Sequence, residues 1–385
     1  MQISPCGVCH QPQRSALSEA HSTEHIGRRI LVQARRARHE AARPRSEVVA
    51  AEGSALSCPT ASALDSLMTS VNEREPPAPA LVAAWCRLWL GGAEPTDVLF
   101  HQGHLSQVMG LRLANGVAVV LKLRPPTARL EACVLVQRHL WAAGFPCPEP
   151  LAGPAPLGTL SATAEVLMEG GSQLPLTEDS PRLFAEALAR LVTLAPPVAS
   201  LPTLEPSLPW VGWDHDQKGT WPEPDDIEAD LNAHVGPRWI EDAGARVRRR
   251  LMQPSTLPIV VGHADWESQN LRWVKGRLHV VHDWDSIVSQ WEATIAGAAS
   301  AVFTATGASN TSASVKQSES FLAAYAQARG YPWTDEEREL AWAAGLWVRV
   351  FNAKKATLRP GGETPSPSRL RLEAEVGERL RQAGA

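Results

Sequence analysis

The spacing of apolar residues along the chain changes character near its middle. From Val98 to Leu123 it has a period of two: Val108, Leu111 and Leu113 precede Asn115-Gly116, and Val117 to Leu123 follow. An Asn-Gly pair between such runs predicts a tight hairpin, and Pro125-Pro126 ends its second strand. Leu130, Cys133, Val134, Gln137, Leu140 and Trp141 then mark one face of a helix of roughly four turns, closed at Gly144. A further strand is expected over 162–168, with Gly170-Gly171 as a flexible joint after it. Helical spacing dominates before and beyond this region, over 80–90, 181–194, 319–330 and 335–351. Leu271 to Val274 and Arg277 to His282 are strand-like and meet at Lys275-Gly276. The pattern therefore predicts an α+β chain in two lobes: a β-rich N-lobe over 68–168 and a larger, mostly helical C-lobe over 169–385.

Residues 1–67 lack a sustained apolar period and carry seven arginines between Arg28 and Arg45, which reads as a disordered leader; Met68 is a sensible start for ordered structure. A length of 385 residues suits two lobes better than one core. No apolar run approaches the roughly 18 residues that a membrane helix needs, so no membrane partner is expected. The net charge of -4 argues against a surface made for nucleic acid. Six cysteines and the lack of an apolar secretory segment point to reduced thiols and a cytoplasmic location. Cys6-Gly-Val-Cys9-His10 has haem-attachment spacing, but export would normally accompany such a site. The oligomeric state is left open.

The densest chemistry lies in His263-Ala-Asp265-Trp-Glu-Ser-Gln-Asn270 and His282-Asp283-Trp-Asp285. If 271–282 is a hairpin, Asn270 and Asp283 lie at its open end as near cross-strand neighbours, about 5 Å apart. An amide oxygen and a carboxylate at that spacing can share a hard cation such as Mg2+. Asp265, in the loop before Asn270, faces the same place and can act as a base. Lys122 sits in an otherwise apolar strand, which is awkward unless it faces a site. Glu131 opens the next helix, and a strand lysine paired with a helix glutamate positions nucleotide phosphates in protein kinases.

With those residues in that order, the chain from about 97 to 300 resembles the aminoglycoside phosphotransferase family. The family pattern His-Gly-Asp-x4-Asn, then Asp-Trp/Phe-Asp/Glu, is met by His263, Asp265 and Asn270 and by Asp283-Trp-Asp285, with Ala264 in place of the glycine. The resemblance implies a protein-kinase-like fold and an ATP- and Mg-dependent small-molecule kinase, in some members a source of antibiotic resistance. It implies Asp265 as catalytic base, Asn270 and Asp283 as metal ligands, Lys122 on the phosphates, and Glu131 as the partner of Lys122. His263 would orient the loop, and Asp285 would support or touch the metal. Val166 to Gly171 would be the hinge that holds adenine, through Glu169 and Gly171, and Ser106 would contribute from a nucleotide loop with a single glycine, Gly103.

Ala264 stands where a protein kinase has arginine, and no Ala-Pro-Glu follows Asp283, so the expected acceptor is a hydroxyl of a small molecule. The stretch 214–230 holds seven acids against one lysine: it either attracts a cationic acceptor or is a solvated loop. Trp210, Trp213 and Trp221 could stack on sugar rings or anchor that loop. Two other functions stay open at this stage. One is a catalytically silent nucleotide-binding protein; the other is a metal-dependent hydrolase using His263, Asp265, His282, Asp283 and Asp285.

Overall fold

The computed structural model describes residues 76–103, 106–306, 311–358 and 364–385. The expected leader, the Cys6–His10 motif and Met68 lie outside the described residues. Helix α1 (Pro79–Trp89) leads into strands β1 (Pro95–Gly103), β2 (Gln107–Leu113) and β3 (Ala118–Arg124). Helix α2 (Arg129–Ala142) and strands β4 (Pro150–Leu157) and β5 (Leu160–Val166) follow. The five strands form one antiparallel sheet in the order β1-β2-β3-β5-β4.

Alternation along β3 sets the two faces of this sheet. Val119, Leu121 and Leu123 are buried with Leu111, Ala162 and Ala164, and α1 covers them with Leu81, Val82, Trp85 and Cys86. Lys122 and Arg124, two residues apart, emerge on the opposite face. The hairpin between β2 and β3 turns at Asn115-Gly116 as expected, with Gly116 at a φ of 84°. Strand β4, which the pattern does not predict, contains Pro150, Pro154 and Pro156. It is an edge strand, the place in a sheet where missing N–H donors are tolerated.

After Gly170 and Gly171, at φ 86° and 73°, the chain becomes mainly helical. The helices are α3 (Ser180–Leu194), α4 (Arg238–Leu251), α5 (Glu292–Val302), α6 (Val315–Arg329), α7 (Asp335–Leu358) and α8 (Pro367–Gln382). Two small antiparallel ribbons carry the site: β6 (Ile259–His263) with β9 (Ile287–Trp291), and β7 (Leu271–Val274) with β8 (Arg277–Val281). Every residue of α5 is buried, so the helix has no polar face for a periodic pattern to reveal. Among the described residues no helix is long and apolar enough to cross a membrane. Cys86, Cys133 and Cys147 are free and buried.

Candidate active site

The cleft begins at β3. Lys122 lies opposite Thr163 of β5, and Glu165 is two residues further along on the same face. Lys122 Nζ is 3.2 Å from Glu165 Oε1. The other carboxylate oxygen accepts a 2.8 Å bond from Gln137 Nε2, which also donates to the Pro148 carbonyl at 3.0 Å. The partner of Lys122 is therefore Glu165, not Glu131 as expected. Glu131 is exposed in the first turn of α2. It stands six residues before the inward-facing Gln137, about 240° away around the helix axis.

The loop after β6 is held from several sides. Ala264 N–H donates to the Ser286 carbonyl at 2.8 Å, Trp210 Nε1 donates to the Ala264 carbonyl at 3.2 Å, and the buried Trp266 donates to the Phe184 carbonyl at 3.1 Å. His263 lies beneath the loop. Its Nδ1 accepts from Asp265 N–H at 3.2 Å and its Nε2 donates to the His282 carbonyl at 3.0 Å, which fixes a neutral imidazole. Burial takes its pKa down to about 4. With both ring nitrogens committed to backbone, His263 is not free to ligate a metal, against the hydrolase alternative.

Asn270 Nδ2 donates to Asp265 twice, to the carboxylate at 2.7 Å and to the main-chain carbonyl at 3.0 Å. Burial first, then the charges of Glu267 and Asp283, holds the Asp265 carboxyl well above its ordinary range. A carboxylate made more basic in this way is a better proton acceptor. Glu267, two residues on, is pushed up to about 7 by burial.

The β7–β8 hairpin delivers the second acid. Leu271 pairs with Val281, and His282 N–H donates to the Asn270 carbonyl at 2.8 Å, so Asn270 and Asp283 stand at its open end. Asp283 adopts a left-handed backbone at φ 66°, which aspartate tolerates better than most residues. Burial opposes ionisation of Asp283, but the nearby Lys122 and Arg124 cations outweigh it and hold the carboxyl below its ordinary value. Arg124 Nη2 is 3.5 Å from Asp283, and its other terminal nitrogen is paired with Asp285.

These donors fit magnesium. Asp283 supplies a carboxylate, the amide nitrogen of Asn270 is committed to Asp265 so that its oxygen is the atom left to offer, and Asp285 Oδ1 is buried without a hydrogen-bond partner. Among the described residues no three His, Cys, Asp or Glu side chains gather as a self-sufficient metal site. Magnesium commonly needs only one or two protein carboxylates, with water and phosphate oxygens completing its shell.

Of the other expected residues, Ser106 faces Arg124 (Oγ to Nη2, 3.5 Å). Residues 104 and 105 of the nucleotide loop are outside the described residues. Glu169 and Gly171 are exposed on the segment joining the lobes, which is pinned to the β7–β8 hairpin. His279 Nε2 is bonded to the Glu169 carbonyl at 3.0 Å, and Ser172 and Trp273 exchange backbone bonds of 3.1 and 2.8 Å. A Cβ on Gly171 would come within 2.9 Å of Arg272 Cβ. The acidic stretch reaches the site: Asp225 contributes to the charge around Asp265, and Asp226 pairs with Lys355 at 3.0 Å. Its tryptophans anchor it. Trp213 and Trp221 are buried, and Trp221 stacks on Trp347 with ring centroids 5.6 Å apart.

Sequence reasoning missed Arg124, Glu165 and Glu267. Arg124 shares the face of Lys122 two residues away, so period-two spacing alone signals it. Glu165 carries no signal until β5 is known to lie beside β3.

The profile of the phosphotransferase enzyme family, abbreviated APH, matches residues 96–346. No curated protein sequence matches the chain. Among solved structures, the chain is similar to a spectinomycin phosphotransferase in complex with ADP and spectinomycin, at 14% identity and a TM-score of 0.48, over 81% of this chain and 99% of that one. A choline/ethanolamine kinase family protein from Mesorhizobium loti is 16% identical with a TM-score of 0.42, over 80% and 93%. A fructosamine-3-kinase homologue from Thermobifida fusca is 18% identical with a TM-score of 0.46, over 78% and 98%.

Proposed function

The chain belongs to the phosphotransferase enzyme family, and we propose that it moves the γ-phosphoryl group of ATP, with magnesium, to a hydroxyl of a small molecule. One observation carries this reading. Asn270 Nδ2 holds the Asp265 carboxylate at 2.7 Å and stands with Asp283 at the open end of the β7–β8 hairpin, where Arg124, on the face of the sheet that carries Lys122, comes to 3.5 Å from Asp283. A carboxylate fixed beside a second one, opposite a lysine and an arginine, divides the roles of proton acceptor and charge holder in phosphoryl transfer.

In this mechanism Lys122, steadied by Glu165, contacts the nucleotide phosphates from the sheet. Asp283 and the Asn270 amide oxygen would hold magnesium, which when bound neutralises charge on the β and γ phosphates. Asp265, oriented by Asn270 and His263, accepts the proton of the acceptor hydroxyl. The hydroxyl oxygen forms a bond to the γ-phosphorus as the bond from that phosphorus to the β–γ bridging oxygen breaks, and ADP leaves. Glu169 and Gly171 border the adenine through the joining segment, and Ser106 faces the phosphates beside Arg124. Aminoglycosides are one acceptor class to try, along with amino-alcohols and hydroxy acids.

The test is acceptor-stimulated ADP release by the full chain with magnesium. Asp265→Ala is expected to lower kcat by about a hundredfold to ten-thousandfold with ATP affinity kept, and Asp283→Ala to remove metal-dependent nucleotide binding. Undiminished transfer by Asp265→Ala rejects the mechanism; ATP binding without transfer to any acceptor class supports a silent binding protein instead.

A further inference from the structure

Arg124 is the second cation on the sheet face that carries Lys122, and its two terminal nitrogens are held very unequally. Nη1 is paired directly with Asp285 Oδ2, on a side chain only 14% exposed. Nη2 has two partners, Asp283 Oδ1 and Ser106 Oγ, each at 3.5 Å. Charge-assisted bonds usually close to about 2.7–2.9 Å, so this nitrogen stands between an acid and a hydroxyl and is firmly bonded to neither. Ser106 comes just before β2 and Asp283 shortly after β8. Nη2 therefore lies where the nucleotide loop of one lobe meets the acidic motif of the other.

The guanidinium has little choice of direction. Toward α2, where Cys133 and Gln137 join Lys122, Arg124 and Glu165 as walls, the free space is about 20 Å³, room for roughly one water. Nε is buried and Nη1 is committed to Asp285, so Nη2 is the nitrogen left to meet a ligand in the cleft.

The chemistry of the two cations on this face also differs. Lys122 is a point charge already shared with Glu165 at 3.2 Å. A guanidinium is a planar fork, able to hold a carboxylate with one nitrogen and a phosphate with the other. A metal ion on Asp283 and Nη2 of Arg124 compete for the same carboxylate, so either one weakens the hold of the other.

We infer that Arg124 is a second phosphate-binding residue of the nucleotide site: anchored on Asp285 through Nη1, it exchanges its loose contact with Asp283 for a phosphate oxygen beside Ser106. The inference rests on the phosphotransferase reading in taking a nucleotide as the ligand. Asp285 is then a positioning residue that aims Arg124, and Asp283 is left to the metal.

Binding to the full chain is measured without turnover, by isothermal titration calorimetry with ADP and with adenosine, which has no phosphate. Arg124→Met is expected to weaken ADP binding by about tenfold or more, as loss of a charge-assisted bond does, and to leave adenosine binding within about twofold. A purely structural role would move both ligands together. Arg124→Lys keeps the charge and loses the fork, so the same selective loss for ADP is expected, and this variant tests the site if Arg124→Met fails to fold. Mn2+ titrated without nucleotide, followed by the paramagnetic resonance of the free ion, is expected to bind Arg124→Met about twofold to fivefold more tightly than the wild type, the worth of a partly exposed ion pair. An unchanged ratio of ADP to adenosine affinity in a folded variant overturns the inference, as does Mn2+ binding that is equal or weaker. Absence of ADP binding by the wild type rejects the phosphotransferase reading and this assignment with it, whereas ADP binding with an unchanged ratio rejects the assignment alone.

Discussion

Lys122 and Glu165 face the cleft from neighbouring strands with their charged ends 3.2 Å apart, and α2 contributes Gln137 to this pair instead of a glutamate. Both side chains are largely withdrawn from water, at 12% and 7% exposed. Removing one partner of such a pair leaves an uncompensated charge, which costs about 3–5 kcal/mol when burial is complete. Glu165→Ala is therefore expected to lose about 3 kcal/mol of stability and to raise the KM for ATP. Glu131→Ala is expected to stay within about 0.5 kcal/mol of the wild type with KM unchanged. Urea unfolding and initial-rate kinetics on the two variants check this, and the opposite ranking restores Glu131 as the partner.

The contrast between those glutamates shows what the sequence can carry. Lys122 stands out because a charged residue interrupts an apolar strand, and the two hairpins stand out because Asn115-Gly116 and Lys275-Gly276 supply residues that accept a positive φ. Asn270 and Asp283 follow from the second hairpin, since its register brings their ends together. Glu165 depends on which strand lies next to β3, a choice made by packing across the whole sheet. Strand β4 is hidden by its three prolines, and α5 by burial on every side. Both gain their structure from neighbours that local spacing does not encode.

Arg124 joins the lobes by touching Asp283 and Asp285, the acids on either side of Trp284. Asp285 depends on it, because the other oxygen of that carboxylate is already buried without a partner. Arg124→Met and Asp285→Asn are each expected to destabilise the fold by about 2–4 kcal/mol, and the double variant by clearly less than their sum. A double-mutant cycle by chemical denaturation measures the coupling. Additive losses contradict an energetic link across this contact.

Glu267 makes stability depend on pH. Its carboxyl ionises near 4.5 in the unfolded chain and at about 7 in the folded one, so between those values the folded state holds the extra proton. Its contribution is complete below pH 4.5 and is lost as pH rises through 7. Glu267→Gln abolishes this titration while leaving a side chain of similar size beside Gln269. Relative to the wild type, the variant is expected to gain stability steadily between pH 4.5 and 7, by on the order of 3 kcal/mol in total. Denaturation curves at half-unit pH steps measure the difference. A constant offset would show that the glutamate does not titrate in this window.

Beneath the catalytic ribbons, α5 and α7 cross at glycine. A Cβ on Gly345 would lie 2.7 Å from the Gly297 carbonyl oxygen, and one on Gly297 would run into the backbone of Ala341. Both clashes are with main chain in buried helices, so a methyl group can be admitted only by moving one helix away from the other. Overpacking of this kind costs about 1–3 kcal/mol or somewhat more, whereas alanine in an open helical position would stabilise by up to about 1 kcal/mol. Gly297→Ala and Gly345→Ala are therefore expected to lower Tm, and Gly377→Ala to raise it or leave it unchanged, because a Cβ there meets only the end of Arg381 at 3.9 Å. Since β9 runs directly into α5, the shift would also reach Ser286, whose carbonyl holds Ala264. The two core variants should thus lose kcat at temperatures where they are still folded. Calorimetry paired with rate measurements separates the effects: a lowered Tm with kcat intact would place the crossing in stability alone and detach it from the catalytic loop.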